Sequence, residues 1–166
     1  MTGDVTRNGD PVRYIDRTRD YYRALGYAKD YAWAHFDEVP FARLAQPLEA
    51  TRIGLVTTAS PPKLENRDER GIRHVWSGAV DPAPARLFTD NVAWDKESTH
   101  TDDRASFLPI EVVMQLAGDG VVGSLAAHFH GVPTEYSHRK TLEEDAPQIL
   151  ARLRDDGAQA AVLCPL

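Results

Sequence analysis

AQAAVLC at residues 158–164 is almost wholly apolar and reads as a buried strand that follows a helix. A buried strand normally hands its chain on to a further helix, yet only Pro165 and Leu166 follow it. The stretch therefore predicts an α/β domain that is incomplete at its C-terminus, finished either by another polypeptide or by a chain that continues.

Immediately upstream, Thr141-Leu142-Glu143-Glu144 has the capping-box pattern and opens a helix through Arg154, with Asp155-Asp156-Gly157 as the turn into the strand. Pro147 falls inside this helix, so the helix either begins near it with Asp145 as cap or kinks there. VVGSLAAHF at 121–129 reads as another parallel strand. The helix before it starts at Pro109 with Ile110, Val113, Met114 and Ala117 on its apolar face, and Gly118 and Gly120 stop it. TRIGLVTT at 51–58 is the best strand in the chain, ended by Pro61-Pro62. Residues 63–71 form a solvated loop, 72–76 a further strand, and 81–103 an aperiodic stretch lying over the strand ends. Residues 41–48 suggest a short helix, and 11–27 a helix with a loosely defined apolar face. The polar leader 1–10 is expected to be disordered. Strands alternating with helices over 11–166 imply a single α/β domain: a mostly parallel sheet with helices on both faces, in flavodoxin- or Rossmann-like layering.

Composition narrows the function. The chain has 166 residues, 42% hydrophobic and 27% charged, enough for one domain with a real core. A net charge of −6 with no basic stripe argues against nucleic acid or an anionic membrane surface as partner. No apolar run approaches the ~18 residues of a membrane span, and the N-terminus lacks a secretory signal's apolar core, so a cytoplasmic location is expected. The single cysteine, Cys164, cannot form an internal disulfide.

In parallel sheets ligands bind beyond the carboxyl ends of the strands. That rule selects Thr57 and Thr58, His128 and His130, and Cys164 as candidates, the threonines and histidines for substrate binding and the thiol for catalysis. His100 and Asp102 lie in the polar loop before the 109–117 helix and form a candidate acid/base pair, since a carboxylate orients and charges an imidazole. Each has a plainer reading. Threonines satisfy turns, a cysteine at a strand end is often a small buried hydrophobe, and surface His/Asp neighbours are common. His-x-His without a second thiol or strong third ligand does not make a metal site, so no metal is expected. The phosphate-loop and dinucleotide glycine patterns are absent.

Four segments, STHTDDRASFLPIEVVMQL, DGVVGSLAAHFHGVPTEYS, LEEDAPQILARLRDDG and AAVLCPL, lie in the run 95–166. In order and combination they resemble the selenoprotein B family of glycine, sarcosine, betaine and D-proline reductases. RIGLVTTAS at 52–60 is similar to that family's first strand, so the resemblance covers the chain from about Phe41 onward. It implies that this chain is the N-terminal part of a larger family domain. In the family, the strand resembling AAVLCPL leads into a redox motif of selenocysteine or cysteine, two residues, then cysteine. A selenocysteine is thus expected just beyond Leu166, encoded by a codon otherwise read as a stop. Cys164 stands three places before that position, where the resemblance suggests an apolar residue.

The resemblance implies reductive cleavage of a carbon–nitrogen bond in a small amine or amino acid. A selenolate or thiolate attacks the substrate carbon, and a thiol reductant later reduces the bond so formed. It implies no cofactor bound to this chain; a pyruvoyl group would belong to a separate partner reductase subunit. Two other readings remain open. One is a non-catalytic partner subunit whose exposed strand edge another chain completes. The other is a hydrolase dependent on His100 or His128 with an aspartate.

Overall fold

The computed structural model of the chain describes residues 12–30, 34–90, 97–134 and 137–166. The expected disordered leader at 1–10 lies outside them. The chain forms two compact units, Met1–Pro40 and Phe41–Leu166.

The first unit holds helix α1, Tyr14–Ala24. Asp16 in its first turn and Arg23 in its last complement the helix dipole. Its end is set by Gly26, whose φ of +88° is open to glycine without strain. The amides of Gly26 and Tyr27 donate to the carbonyls of Arg23 and Tyr22, a Schellman closure, and the Tyr22 and Tyr27 rings meet edge-on at 5.7 Å across it. No residue of α1 is buried, so local hydrogen bonds and ion pairs shape it: Arg23 forks onto both Asp30 oxygens at 3.0 and 2.7 Å.

The second unit is the α/β domain. Its sheet contains β1 (Arg52–Thr57), β2 (Trp76–Ala79), β3 (Ser124–Gly131) and β4 (Ala160–Cys164) in the order β2-β3-β1-β4. β1 pairs parallel with both β3 and β4, while β2 is an antiparallel edge on β3. The sheet is therefore mixed but mostly parallel.

Helix α2 (Ile110–Gly118) connects to β3, and α4 (Ala146–Asp155) connects β3 to β4. Ile53, Leu55 and Phe129 pack with Ile110 and Val113 of α2. Val56, one residue on from Leu55 and thus on the opposite face, packs with Ile149 and Leu153 of α4. One helix covers each face. The chain moves from β1 to β3 on one side, then crosses back to β4 on the other, and constant crossover handedness puts the two helices on opposite faces.

Backbone closeness sets several positions. Gly123 donates to the carbonyls of Leu48 and Thr51 at 3.0 Å each, and a side chain there would strike the Ala50 backbone. Trp76 lies across Gly131 and Phe129 across Gly78, so two aromatics cover two glycines and meet edge-on at 5.3 Å.

Several expected elements are corrected. Residues 41–48 are not a helix; only a 3₁₀ turn, Leu48–Ala50, forms, because Pro47 disfavours helical geometry in the residue before it. The strand expected at 72–76 begins at Trp76, where β3 first offers a partner, and the preceding residues close a loop in which His74 N donates to Asn66 O. The strand expected at 121–129 runs two or three residues later, after the turn at Gly120, φ +72°.

The helix predicted to open at Thr141 starts earlier. Ser137 caps α3 (His138–Lys140), accepting from Lys140 N at 3.3 Å, and a wide π turn, Thr141–Asp145, leads into α4. Pro147 stands in the first turn of α4, with Asp145 at the cap position, where a ring nitrogen with no hydrogen to give is tolerated. The last strand is not buried. β4 is an edge, with Leu163 70% exposed. Among the described residues no helix is long and apolar enough to cross a membrane.

Candidate functional site

Strand order reverses between β1 and β4, and the crevice beyond their carboxyl ends is where a doubly wound sheet leaves room for a ligand. Thr57 of β1 is in register with Cys164 of β4. The Thr57 hydroxyl is buried and accepts from Ala59 N at 3.3 Å, closing the turn as its plainer reading required. Thr58 is partly exposed, and its Oγ1 accepts from Leu166 N at 2.9 Å. The segment after β4 is thereby held against the turn after β1. Trp76 Nε1 donates to Ala59 O at 3.1 Å and braces that turn from the β2 side.

Burial pushes the Cys164 thiol above its ordinary pKa, and its Sγ lies 4.0 Å from the Val162 carbonyl oxygen. No cation offsets the desolvation among the causes of that shift. The thiolate is therefore scarce at neutral pH, the reverse of an activated nucleophile. Iodoacetamide should alkylate Cys164 more slowly at pH 7 than it does a small free thiol, with the rate rising only as pH climbs past the ordinary thiol range. A rate midpoint below that range would contradict this.

His128 and His130 share one face, as their spacing requires, but that face is the α4 side and they lie within β3 rather than at its end. Their partner is Asp156, the residue after α4. His128 Nδ1 donates to Asp156 Oδ1 at 2.9 Å, and His128 N donates to Oδ2 at 3.2 Å. His130 Nε2 is 3.7 Å from Oδ2, an ion-pair separation longer than a hydrogen bond. Across the β2–β3 ladder, His130 Nδ1 meets Ser77 Oγ at 2.9 Å, and Arg152 of α4 donates to the same hydroxyl at 2.9 Å. His130 is 2% exposed. Burial is the main cause that lowers its pKa; Arg152 and His128 push the same way, and Asp156 opposes them. The imidazole is neutral at pH 7.

His100 and Asp102 adjoin each other in an exposed loop, with Asp102 N donating to His100 Nδ1 at 3.3 Å and the Asp102 carboxylate engaged by Arg86. Thus Thr57, Thr58 and Cys164 come together, His128 and His130 form a second group, and His100 with Asp102 a third.

Ser77, Arg152 and Asp156 were not selected from sequence. Arg152 and Asp156 are one helical turn apart and so share a face, which marks them as a pair; nothing in the sequence aims that face at the histidines. Among the described residues no group of three or more His, Cys, Asp and Glu side chains is arranged to hold a metal ion. Compared with known proteins, the chain matches no family model, no curated protein and no solved structure.

Proposed function

We propose that this chain is the N-terminal part of a selenoprotein-B-type reductase domain that cleaves a carbon–nitrogen bond of a small amine or amino acid by attack of a selenolate or thiolate. One observation carries the reading: the parallel pair β1–β4 delivers Thr57, Thr58 and the Cys164-Pro165-Leu166 segment to the reversal point of the strand order, with Leu166 N tied to Thr58 Oγ1 at 2.9 Å. A chalcogen a short way beyond Leu166 would start from that crevice, beside a hydroxyl suited to a polar substrate. Burial raises the Cys164 thiol's pKa, so in this reading the nucleophile is the residue beyond Leu166.

In the proposed step the chalcogen–carbon bond forms as the carbon–nitrogen bond breaks, and the amine leaves with that electron pair and takes up a proton. A dithiol then reduces the chalcogen–carbon adduct and is oxidised to a disulfide. A pyruvoyl group, if used, belongs to a partner subunit, and the site is cytoplasmic in this reading.

The test is to read the gene past the Leu166 codon and to produce the longer chain with cysteine at the recoded position. Expected are an in-frame UGA and, after two intervening codons, a cysteine codon. Dithiothreitol-dependent amine release from glycine, sarcosine or betaine, or reductive ring opening of D-proline, with the partner subunits added, should follow. An ordinary stop with no downstream frame carrying a thiol or selenol would sink the reading.

A further inference from the structure

The reductase reading does not use the hydrogen-bonded pair of Ser77 and His130, behind which the Asp156 carboxylate lies 3.7 Å from His130 Nε2. The pair lies on the α4 face, where Ser77 and His130 face each other across the antiparallel β2–β3 pair, while Arg152 and Asp156 come from α4 and the residue after it. Ser77 is exposed and lines a groove of about 420 Å³ between β2 and the 61–68 loop, shared with Asn66, Asp68, His74 and Trp76. Behind it His130 is buried.

We infer that Ser77 is a nucleophile activated by His130 and oriented through Asp156, and that the groove beside it takes a small carboxylic ester.

The geometry supplies each role. The Asp156 carboxylate, 3.7 Å from His130 Nε2 and held by His128, favours the ring proton on Nε2 through its charge and not through a hydrogen bond; Nδ1 is then a lone pair 2.9 Å from the serine oxygen, within reach of its hydroxyl proton. Burial holds the ring neutral at pH 7, the state a general base needs. Arg152, 2.9 Å from the same oxygen, cannot accept that proton, so the Ser77 hydrogen is directed to His130. The guanidinium also places positive charge beside the position where a tetrahedral oxyanion would develop.

In the reaction, Ser77 Oγ bonds to the ester carbonyl carbon as its proton passes to His130 Nδ1, and the carbonyl π pair moves onto oxygen beside Arg152. Collapse breaks the bond to the leaving alkoxide, which takes the proton from His130. Water then repeats both transfers and releases the acid. No oxidant or reductant is consumed.

The small groove limits the acyl and alcohol groups, and Pro61 and Val75 are apolar residues on its lining. An ester fits better than an amide because an alkoxide leaves more readily than an amide nitrogen, and His130, being buried, is reluctant to hold the charge that stronger acid assistance needs.

The experiment uses the 166-residue chain as it stands and needs nothing beyond Leu166, so its failure leaves the reductase reading untouched. The protein is treated with diisopropyl fluorophosphate, in which Oγ–P formation expels fluoride, and the modified residue is mapped by peptide mass spectrometry. Expected is one adduct, on Ser77, absent in Ser77→Ala, with 4-nitrophenyl acetate hydrolysis lost in the same variant. His130→Gln should slow labelling by about 100-fold or more, the usual contribution of a general base. Asp156→Asn should lower the rate and shift its pH profile, which a merely structural role would not do. Because His130→Gln can fail to fold, the adduct map of the unaltered chain decides alone. An unmodified Ser77 after prolonged treatment, or esterase activity retained in Ser77→Ala, would overturn the inference.

Discussion

Phe129→Ala is expected to lower the unfolding free energy by about 3–5 kcal/mol, the range for removing a fully enclosed aromatic ring. Phe129 is 0% exposed, on the central part of β3, and packs among Leu55, Ile110 and Val113 while its edge meets Trp76. It also covers Gly78 on the neighbouring strand, which has no side chain to refill the gap. Cavity and exposed backbone therefore add. With ~5–15 kcal/mol typical of a domain, the loss is a large fraction of the whole. Urea unfolding followed by tryptophan fluorescence measures it; a midpoint shift worth less than ~1 kcal/mol would mean that the ring is not the centre of this core.

Gly131→Ala should be nearly as damaging, at about 3 kcal/mol, through the opposite mechanism of overpacking. A methyl group at 131 would overlap the Trp76 indole, which is itself anchored by its hydrogen bond to Ala59 O. The indole must move, and it loses that bond and its contact with Phe129. Trp76→Ala removes the obstacle, so the double variant should be less destabilised than the sum of the two single ones. Additive costs would show that the clash is relieved some other way. Gly131 pairs with Thr57 in β1, so the same displacement reaches the turn before Thr58, the proposed substrate edge.

The local signals that survived were those made by chemistry within a few residues. TRIGLVTT became β1 because β-branched and apolar residues in a short run suit a buried central strand. The 109–117 periodicity became α2, and AAVLC became a strand parallel to β1, as the alternation of elements required. Where pattern reading failed, a neighbour far along the chain had decided: strand β2 starts where β3 offers partners, four residues after the apolar run begins. Helical turns open at His138, ahead of the expected Thr141, while α4 itself starts at Ala146 with Asp145 at the cap position and Pro147 in its first turn, one of the two forms expected for it.

The candidate sites divide the same way. Threonines and a cysteine at the ends of adjacent parallel strands were legible, since strand direction puts such residues at one edge. The His-x-His pair was legible as a pair, but its partner was not. Asp156 looked like an ordinary turn residue, and Ser77 fell just past the strand expected at 72–76; each acquires a role only when the β3–β4 crossover lays α4 over the β2–β3 ladder.

By itself the amino-acid sequence determined the α/β class, the central strand and the period of its two covering helices, because periodicity and backbone preference act over a handful of residues. Only the tertiary structure decided the antiparallel β2 edge, the exposure of β4 and the meeting of Ser77, His130, Arg152 and Asp156. The meeting of those side chains depends on contacts as long as that between Ser77 and Arg152, 75 positions apart, and a side chain's neighbours at that separation are set by how the layers pack, which no local pattern encodes.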